Sequence, residues 1–153
     1  MKPRTRARAI ALQVLYETDI ANNHLPDEVL KARLEEVPLA DDLAEFARQI
    51  IFGVCPLTQD LDQLIAKYAP EWPLDQIAAI DRNILRIAFW EFAVSRDTPV
   101  KVAINEAVEL AKLYGSDSAP RFVNGVLGTL VDHEQEIHQI IKNRIAQGAK
   151  LES

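Results

Sequence analysis

Residues 80–88 read IDRNILRIA, residues 102–112 read VAINEAVELAK, and residues 121–127 read RFVNGVL. In each block, apolar residues recur three and four positions apart, which is the spacing of a helix with one buried stripe. The chain contains five glycines and few β-branched runs, which favours helix over strand. We therefore predict an all-α protein in which these three blocks are the most strongly patterned helices.

The composition is that of one soluble domain. The chain has 153 residues, of which 48% are hydrophobic and 26% are charged, and this length suffices for one sizeable core. No apolar run approaches the roughly 20 residues that cross a bilayer, and the basic start lacks the apolar segment of a secretory signal. Cys55 is the single cysteine, which excludes an internal disulfide and suits a reducing compartment. We expect a cytoplasmic protein without membrane contact.

Positive charge is concentrated at the amino terminus. Four basic residues precede the first acid, Glu17, and since the whole chain carries −6, the rest of it carries −10. The four are Lys2, Arg4, Arg6 and Arg8. A basic arm on an acidic body is typical of a protein that touches a polyanion at one place. On charge alone, a solvated helix start without any partner fits equally well.

About seven helices are predicted in a single domain over residues 1–153. They span about 4–21, 26–37, 41–53, 57–68, 77–92 and 98–115, and the last begins at 118, with a helical rhythm that extends to Ile141. Asp41 or Asp42 is expected to cap the third helix, with Glu45 placed as in a capping box. Gly115 is expected to end the sixth helix in a left-handed conformation. The break at 69–73 is predicted to divide two small helical subdomains.

The sequence contains no recognisable catalytic or metal-binding motif. His133 and His138 are five residues apart, whereas a zinc-binding pair on a helix needs a spacing of four. Cys55 lies in an apolar context with no histidine close in sequence, so we interpret it as a small core residue. Asp60 and Asp62 lack the other ligands and the glycine of a calcium loop. We therefore expect no enzyme, no metal and no cofactor.

The third block begins with residue types that bind single-stranded RNA. Arg121 and Phe122 fall in the first turn of a predicted helix, where free amides attract anions. Arginine for phosphate, an aromatic ring for stacking and the amide of Asn124 together fit RNA recognition. The residues alone favour the other interpretation, in which Phe122 and Val123 are simply core residues.

Two arginines of the first block repel each other unless an anion lies near them. Arg82 and Arg86 are four residues apart on one predicted helix face. The anion is expected to be internal, supplied by Asp81 together with Glu106 or Glu109. An internal structural role is therefore preferred over ligand binding for these two arginines.

The three blocks, their order and the basic first helix with ALQVLY at 11–16 resemble the NusB family of transcription antitermination factors. The resemblance covers most of residues 1–130. It implies an all-α fold of two helical subdomains that binds the boxA element of ribosomal RNA transcripts together with NusE, a small-subunit ribosomal protein, and acts with RNA polymerase. The implied RNA-binding residues are Lys2, Arg4, Arg6, Arg8, Gln13, Tyr16, Lys112, Arg121, Phe122 and Asn124. The helix carrying Asp81, Arg82 and Glu91 is implied to face NusE.

Two other functions stay open beside this one. The same fold occurs fused to ribosomal RNA cytosine methyltransferases, so the chain is alternatively an RNA-binding module that serves such an enzyme. A homodimeric helical scaffold also fits the wide apolar face of residues 77–92. Arg121 and Trp90 stand where the family more often has lysine and tyrosine. The tail 133–153 exceeds the family pattern, and we expect a longer final helix, a dimer contact or a cover over the basic arm.

Overall fold

The chain folds into helices, as predicted. A computed structural model describes the backbone of residues 1–21 and 23–152 and, except at residues 74 and 149–152, their side chains. The α-helices in this part of the chain are α1 (Pro3–Ile20), α2 (Pro26–Glu36), α3 (Asp41–Val54), α4 (Thr58–Tyr68), α5 (Ala79–Phe89), α6 (Val100–Tyr114), α7 (Ala119–Val131) and α8 (Glu134–Glu152). No helix in the described ranges is long and apolar enough to cross a bilayer.

The helix α5 is the centre of the core. Residues 83–89 are all buried, as the wide apolar face of this segment predicts. Helices α1, α4, α6 and α7 all contact α5. Buried apolar side chains from all eight helices form one continuous cluster, and the break predicted at 69–73 coincides with the end of α4. The division into two subdomains at this break stays a prediction.

A π-helical turn, Trp90–Ser95, continues α5 without a gap. It ends at Arg96, whose φ of 60° is the single positive value among the described non-glycine residues. The Arg96 amide donates to the Glu91 carbonyl at 2.9 Å, which closes the wide turn. The Trp90 indole packs directly on Gly53, because a Cβ at Gly53 would overlap the ring. The wider turn changes the direction of the chain ahead of α6.

Two of the predicted helix ends are wrong in detail. The residue that caps α3 is Ala40, and no side chain caps this helix end. Asp41 and Asp42 instead lie in the first turn of α3, where their charges favour the helix dipole. Gly115 is extended, with φ −92° and ψ −178°, rather than left-handed. A Cβ at Gly115 would lie 2.6 Å from the Ala119 Cβ, so glycine is needed there because α6 and α7 approach closely.

The tail beyond α7 forms a separate helix, α8, after a turn at 132–133. Ile137 and Ile141 are buried, and the His138 ring lies 2.9 Å from the Ala93 carbonyl of the π-helical turn. Arg144 donates to Asp60 of α4 at 2.9 Å. The tail therefore packs on α4 and the π-helical turn. Its roles as dimer contact or cover stay predictions, and residue 153 lies outside the described residues.

Two glycine-to-alanine substitutions test whether Gly115 is required by close helix packing. We expect Gly115→Ala to cost about 1–3 kcal/mol of unfolding free energy, because a new methyl group is forced between α6 and α7. Gly128 in α7 is the matched control, since nothing lies within 4 Å of a Cβ placed there. Gly128→Ala should gain about 0.5–1 kcal/mol, as alanine is the better helix former. Urea unfolding of both variants tests this; equal effects would contradict the packing role of Gly115.

Candidate nucleic-acid interface

The basic arm divides into exposed charges and one buried charge. Lys2, Arg4 and Arg6 are exposed, whereas Arg8 is only 3% exposed. The division follows from the helix, because Arg8 lies next to the apolar stripe of α1 and contacts Glu91 of the π-helical turn and Glu106 of α6. Neither Lys2 nor Arg6 forms an ion pair with the described residues. Their charges are therefore available to an external anion.

Arg8 is paired with a buried carboxylate. Its Nη2 donates to Glu91 Oε1 at 2.8 Å, and its Nε donates to Glu91 Oε2 at 3.0 Å. The Thr98 hydroxyl donates to the same Glu91 carboxylate at 2.9 Å. Arg8 Nη1 also lies 3.7 Å from Glu106 Oε2, which accepts from Thr5 Oγ1 at 2.8 Å. Both charges are thus satisfied inside the protein.

This pairing concerns two of the residue roles implied by the family resemblance, which stay predictions. Arg8 was expected to bind RNA and Glu91 to face NusE, yet Glu91 is only 2% exposed. Each side chain is the other's partner and neither reaches the surface. Nothing in the sequence spacing indicates that these residues, 83 positions apart, meet.

Aromatic groups accompany the exposed part of the arm. The Arg4 guanidinium lies 4.0 Å above the centroid of the Phe46 ring of α3, a cation–π contact that holds the first turn of α1 in place. Further along α1, Tyr16 is exposed, and Gln13 donates to the hydroxyl of Tyr114 at 3.2 Å. Tyr114 is also exposed. Tyr114 was not predicted from the sequence, where its one signal was an aromatic residue at the end of α6 beside Gly115.

The second predicted group lies at the end of α6 and the start of α7. Lys112, Arg121 and Asn124 are exposed, and Lys112 Nζ is 3.8 Å from Glu109 of its own helix. Phe122 is half-buried, with its ring edge-on to Trp72 at 6.3 Å between centroids. Phe122 thus packs partly against the core and keeps part of its ring accessible, and its role in RNA binding stays a prediction.

The ends of α1, α5, α6 and α7 converge between these two groups. Gln13 joins α1 to Tyr114, and Arg82 of α5 donates to Asp19 of α1 at 2.8 Å. The Asp81 carboxylate of α5 lies against Gly115 in the α6–α7 connection. Lys112 precedes this connection in the chain, and Arg121 and Asn124 follow it.

The three residues expected to face NusE differ in their accessibility. Glu91 is buried in its pair with Arg8, and Asp81 is only 7% exposed. Arg82 keeps about a fifth of its side chain accessible, at 22%. Of the three, Arg82 is the most accessible to a protein partner, and the NusE-facing role of all three residues stays a prediction.

The internal role expected for Arg82 and Arg86 is confirmed, but their acids differ from those predicted. Arg86 donates to both oxygens of Asp62, at 2.6 and 2.8 Å, and to Asp19 at 3.2 Å. Burial acts to lower the pKa of Arg86, but the hydrogen bonds and charges of Asp62 and Asp19 outweigh it and raise this pKa. For Asp19, burial acts to raise the pKa, and Arg82 and Arg86 reverse this and lower it.

No group of three or more metal-ligating side chains lies together within the described residues. Cys55 is half-buried, and burial raises the pKa of its thiol, which keeps it protonated. The exposed surface near the ends of α1, α6 and α7 carries cations, amides and aromatic rings, and their RNA-binding role stays a prediction.

Comparison with known proteins decides the family. Residues 5–132 match the model of the NusB family. The chain belongs to the NusB family. It is 50% identical over 135 residues to the transcription antitermination protein NusB of Roseiflexus castenholzii, covering 87% of this chain and 94% of that protein. It is 47% identical over 130 residues to that of Chloroflexus aggregans, covering 84% and 86%.

Solved NusB structures share the fold. The T. maritima NusB structure has a TM-score of 0.79 and 31% identity, covering 90% of this chain and 98% of that one. A crystal structure of the antitermination factors NusB and NusE in complex with dsRNA has a TM-score of 0.75 and 27% identity, covering 92% and 98%. Helix α8 lies beyond the residues that match the NusB family model. The roles of the individual RNA-facing side chains stay predictions.

The buried carboxyl of Asp81 makes stability depend on pH. Burial raises the pKa of Asp81 above its ordinary 3.8, so the folded state binds this proton more tightly than the unfolded state. Stability is therefore lost as pH rises through the interval above 3.8. Asp81→Asn, which carries no charge, should be more stable than the natural protein at pH 7. The gap should close below about pH 3.8, where both states are protonated; a gap of the same size at pH 3 and pH 7 would contradict this.

Proposed function

We infer that this protein is a non-catalytic transcription antitermination factor that binds the boxA element of ribosomal RNA transcripts together with NusE. Its curated relatives are named transcription antitermination proteins, and a structure with the same fold contains NusB, NusE and RNA. A factor that acts on nascent bacterial transcripts works in the cytoplasm, in an assembly with RNA polymerase.

One observation carries the RNA-binding part of the proposal. Lys2 and Arg6 are exposed and without internal ion pairs in the described structure, on a chain whose net charge is −6. A polyanion is therefore attracted to this end of α1 and repelled by most of the remaining surface. The proposed RNA-binding residues are Lys2, Arg4, Arg6, Gln13, Tyr16, Lys112, Tyr114, Arg121, Phe122 and Asn124.

The RNA path follows from the positions of these side chains. The exposed rings of Tyr16 and Tyr114 lie between the basic arm and the start of α7, where bases stack on aromatic faces. Arg121 and Asn124 flank Phe122 at the start of α7, where free amides and cations attract phosphate. Arg82, which remains partly accessible on α5, is the proposed contribution to the NusE-facing surface.

The other two functions have weaker support. An RNA-binding module that serves a methyltransferase fits the fold, but the Roseiflexus and Chloroflexus relatives are antitermination proteins matched over most of their own length. A homodimeric scaffold has one observation in its favour, the exposed apolar residues Val102 and Leu113 of α6. The methyltransferase-serving module predicts RNA binding that does not depend on NusE, and the scaffold predicts a dimer when the protein is sized alone.

The experiment is a titration of labelled single-stranded boxA RNA at several salt concentrations, with and without NusE. Each phosphate contact with a single strand contributes about 0.7 to the slope of log affinity against log salt. We expect Arg6→Ala and Arg121→Ala each to reduce this slope by about 0.7. The matched control is Lys31→Ala, an exposed lysine of α2 beside Asp27 and Glu35, which should leave the slope unchanged.

NusE should raise the RNA affinity, because sharing one RNA between two proteins increases the effective concentration for the second contact. If Arg6→Ala and Arg121→Ala had the same salt slope as Lys31→Ala, the basic residues would not contact the RNA and this part of the proposal would fail. RNA affinity that is unchanged by NusE would favour the module that serves a methyltransferase, and no RNA binding at all would favour the scaffold.

A further inference from the structure

Arg96 is an exposed arginine in a strained backbone conformation. It ends the π-helical turn with φ 60° and ψ 13°, in the left-handed region that few residues other than glycine and asparagine adopt readily. Its side chain is exposed and forms no hydrogen bond or ion pair within the part of the chain that the structure describes. No internal polar contact therefore requires an arginine at this position.

The loop that follows Arg96 is joined to the start of the basic arm. Residues 97–99 and residues 2–5 line one depression of about 480 Å³. The Thr98 hydroxyl donates to the Glu91 carboxylate at 2.9 Å, and the same carboxylate accepts from Arg8 of α1 at 2.8 Å. Since neighbouring Cα atoms are about 3.8 Å apart, the backbone of Arg96 lies directly beside this depression.

The free charges around this loop are mainly positive. Lys2 of the arm and Lys101 of α6 are exposed, and neither forms an ion pair with the described residues. The acids Glu91 and Glu106 are already bonded inside the protein. Asp97 is exposed and offsets one positive charge. Together with the arginine before it, the loop thus continues the positive surface of the arm onto a second part of the chain.

Two of these cations stand where the fold itself disfavours them. Asparagine or glycine at position 96 would relieve the left-handed backbone of its strain. Lys101 lies in the first turn of α6, which contains no acid and where a positive charge opposes the helix dipole. Local costs of this kind are concentrated at positions that serve a ligand. A polyanion that already follows the arm is the ligand that this charge would attract.

We propose that Arg96 is an RNA-binding residue, which contacts a phosphate of the strand that passes Lys2 and so extends the RNA-binding surface from α1 onto the loop before α6. The contact is to the RNA backbone, so it adds affinity without a preference among bases. Lys101 strengthens the same attraction at longer range. This inference rests on the proposed function and adds a second element to its RNA-binding surface.

The test is a salt titration with boxA RNA that carries flanking nucleotides at both ends, so that the strand is long enough to pass Lys2. Arg96→Asn should lower the slope of log affinity against log salt by about 0.7, the contribution of one single-strand phosphate contact. The advantage of the natural protein over this variant should therefore shrink about 2.6-fold between about 50 and 200 mM salt. Arg96→Lys keeps the charge and should keep the slope.

Urea unfolding of the same variants separates a ligand contact from a structural role. Asparagine tolerates the left-handed conformation, so Arg96→Asn should unfold at the same urea midpoint as the natural protein or at a higher one. A variant that is no less stable and yet binds RNA more weakly has lost a contact with the ligand. Lys31→Ala is the matched control, because it removes an exposed charge from α2 and should leave the RNA slope unchanged.

Each outcome decides the inference. It is overturned if Arg96→Asn keeps the natural slope while Arg6→Ala lowers it, or if Arg96→Lys lowers the slope as much as Arg96→Asn does. If Arg96→Asn keeps the slope and instead loses affinity for NusE, the loop belongs to the protein partner. In these cases the proposed function survives. If the natural protein binds no boxA RNA at all, the inference and the proposed function both fail.

Discussion

The buried guanidinium of Arg86 joins three helices. From the middle of α5 it donates to Asp62 of α4 and to Asp19 near the end of α1, and Asn83 bonds the same Asp19 carboxylate at 3.0 Å. A buried cation without partners is costly, so these acids must stay in place while the protein is folded. The end of α1 is thus held to α5 by three donors on Asp19, from Arg82, Asn83 and Arg86.

A second ion pair holds the opposite half of α1. Arg8 is bonded to Glu91 in the π-helical turn that continues α5. With Asp19 fixed at one end and Arg8 at the other, the rotation of α1 about its own axis is set. The opposite side of the helix, which carries Arg6, then faces solvent. The RNA-binding surface of the proposal is thus a consequence of how the core satisfies its buried charges.

The sequence predicts the helices well and the polar contacts poorly. Apolar periodicity identified α5, α6 and α7, because helix spacing is a local property that neighbouring residues express. It could not identify the pairing of Arg8 with Glu91, since both lie at the margin of an apolar stripe where exposure and burial look alike. Gly115 was assigned to the right turn for the wrong reason, because the close approach of α6 and α7 is visible only in three dimensions. The partner-free carboxyl of Asp81 was likewise invisible to local pattern.

The central claim is that the basic residues of the arm have two roles: Arg8 stabilises the fold, and the exposed Lys2 and Arg6 bind RNA. The most direct test measures the unfolding free energy and the RNA affinity of Arg8→Met on the same protein preparation. Removing one partner of a buried ion pair costs about 3–5 kcal/mol, and replacing both Arg8 and Glu91 by methionine should recover most of that loss. We expect low stability for Arg8→Met and an unchanged salt dependence of RNA binding while folded. Natural stability combined with a reduced salt dependence would contradict the claim.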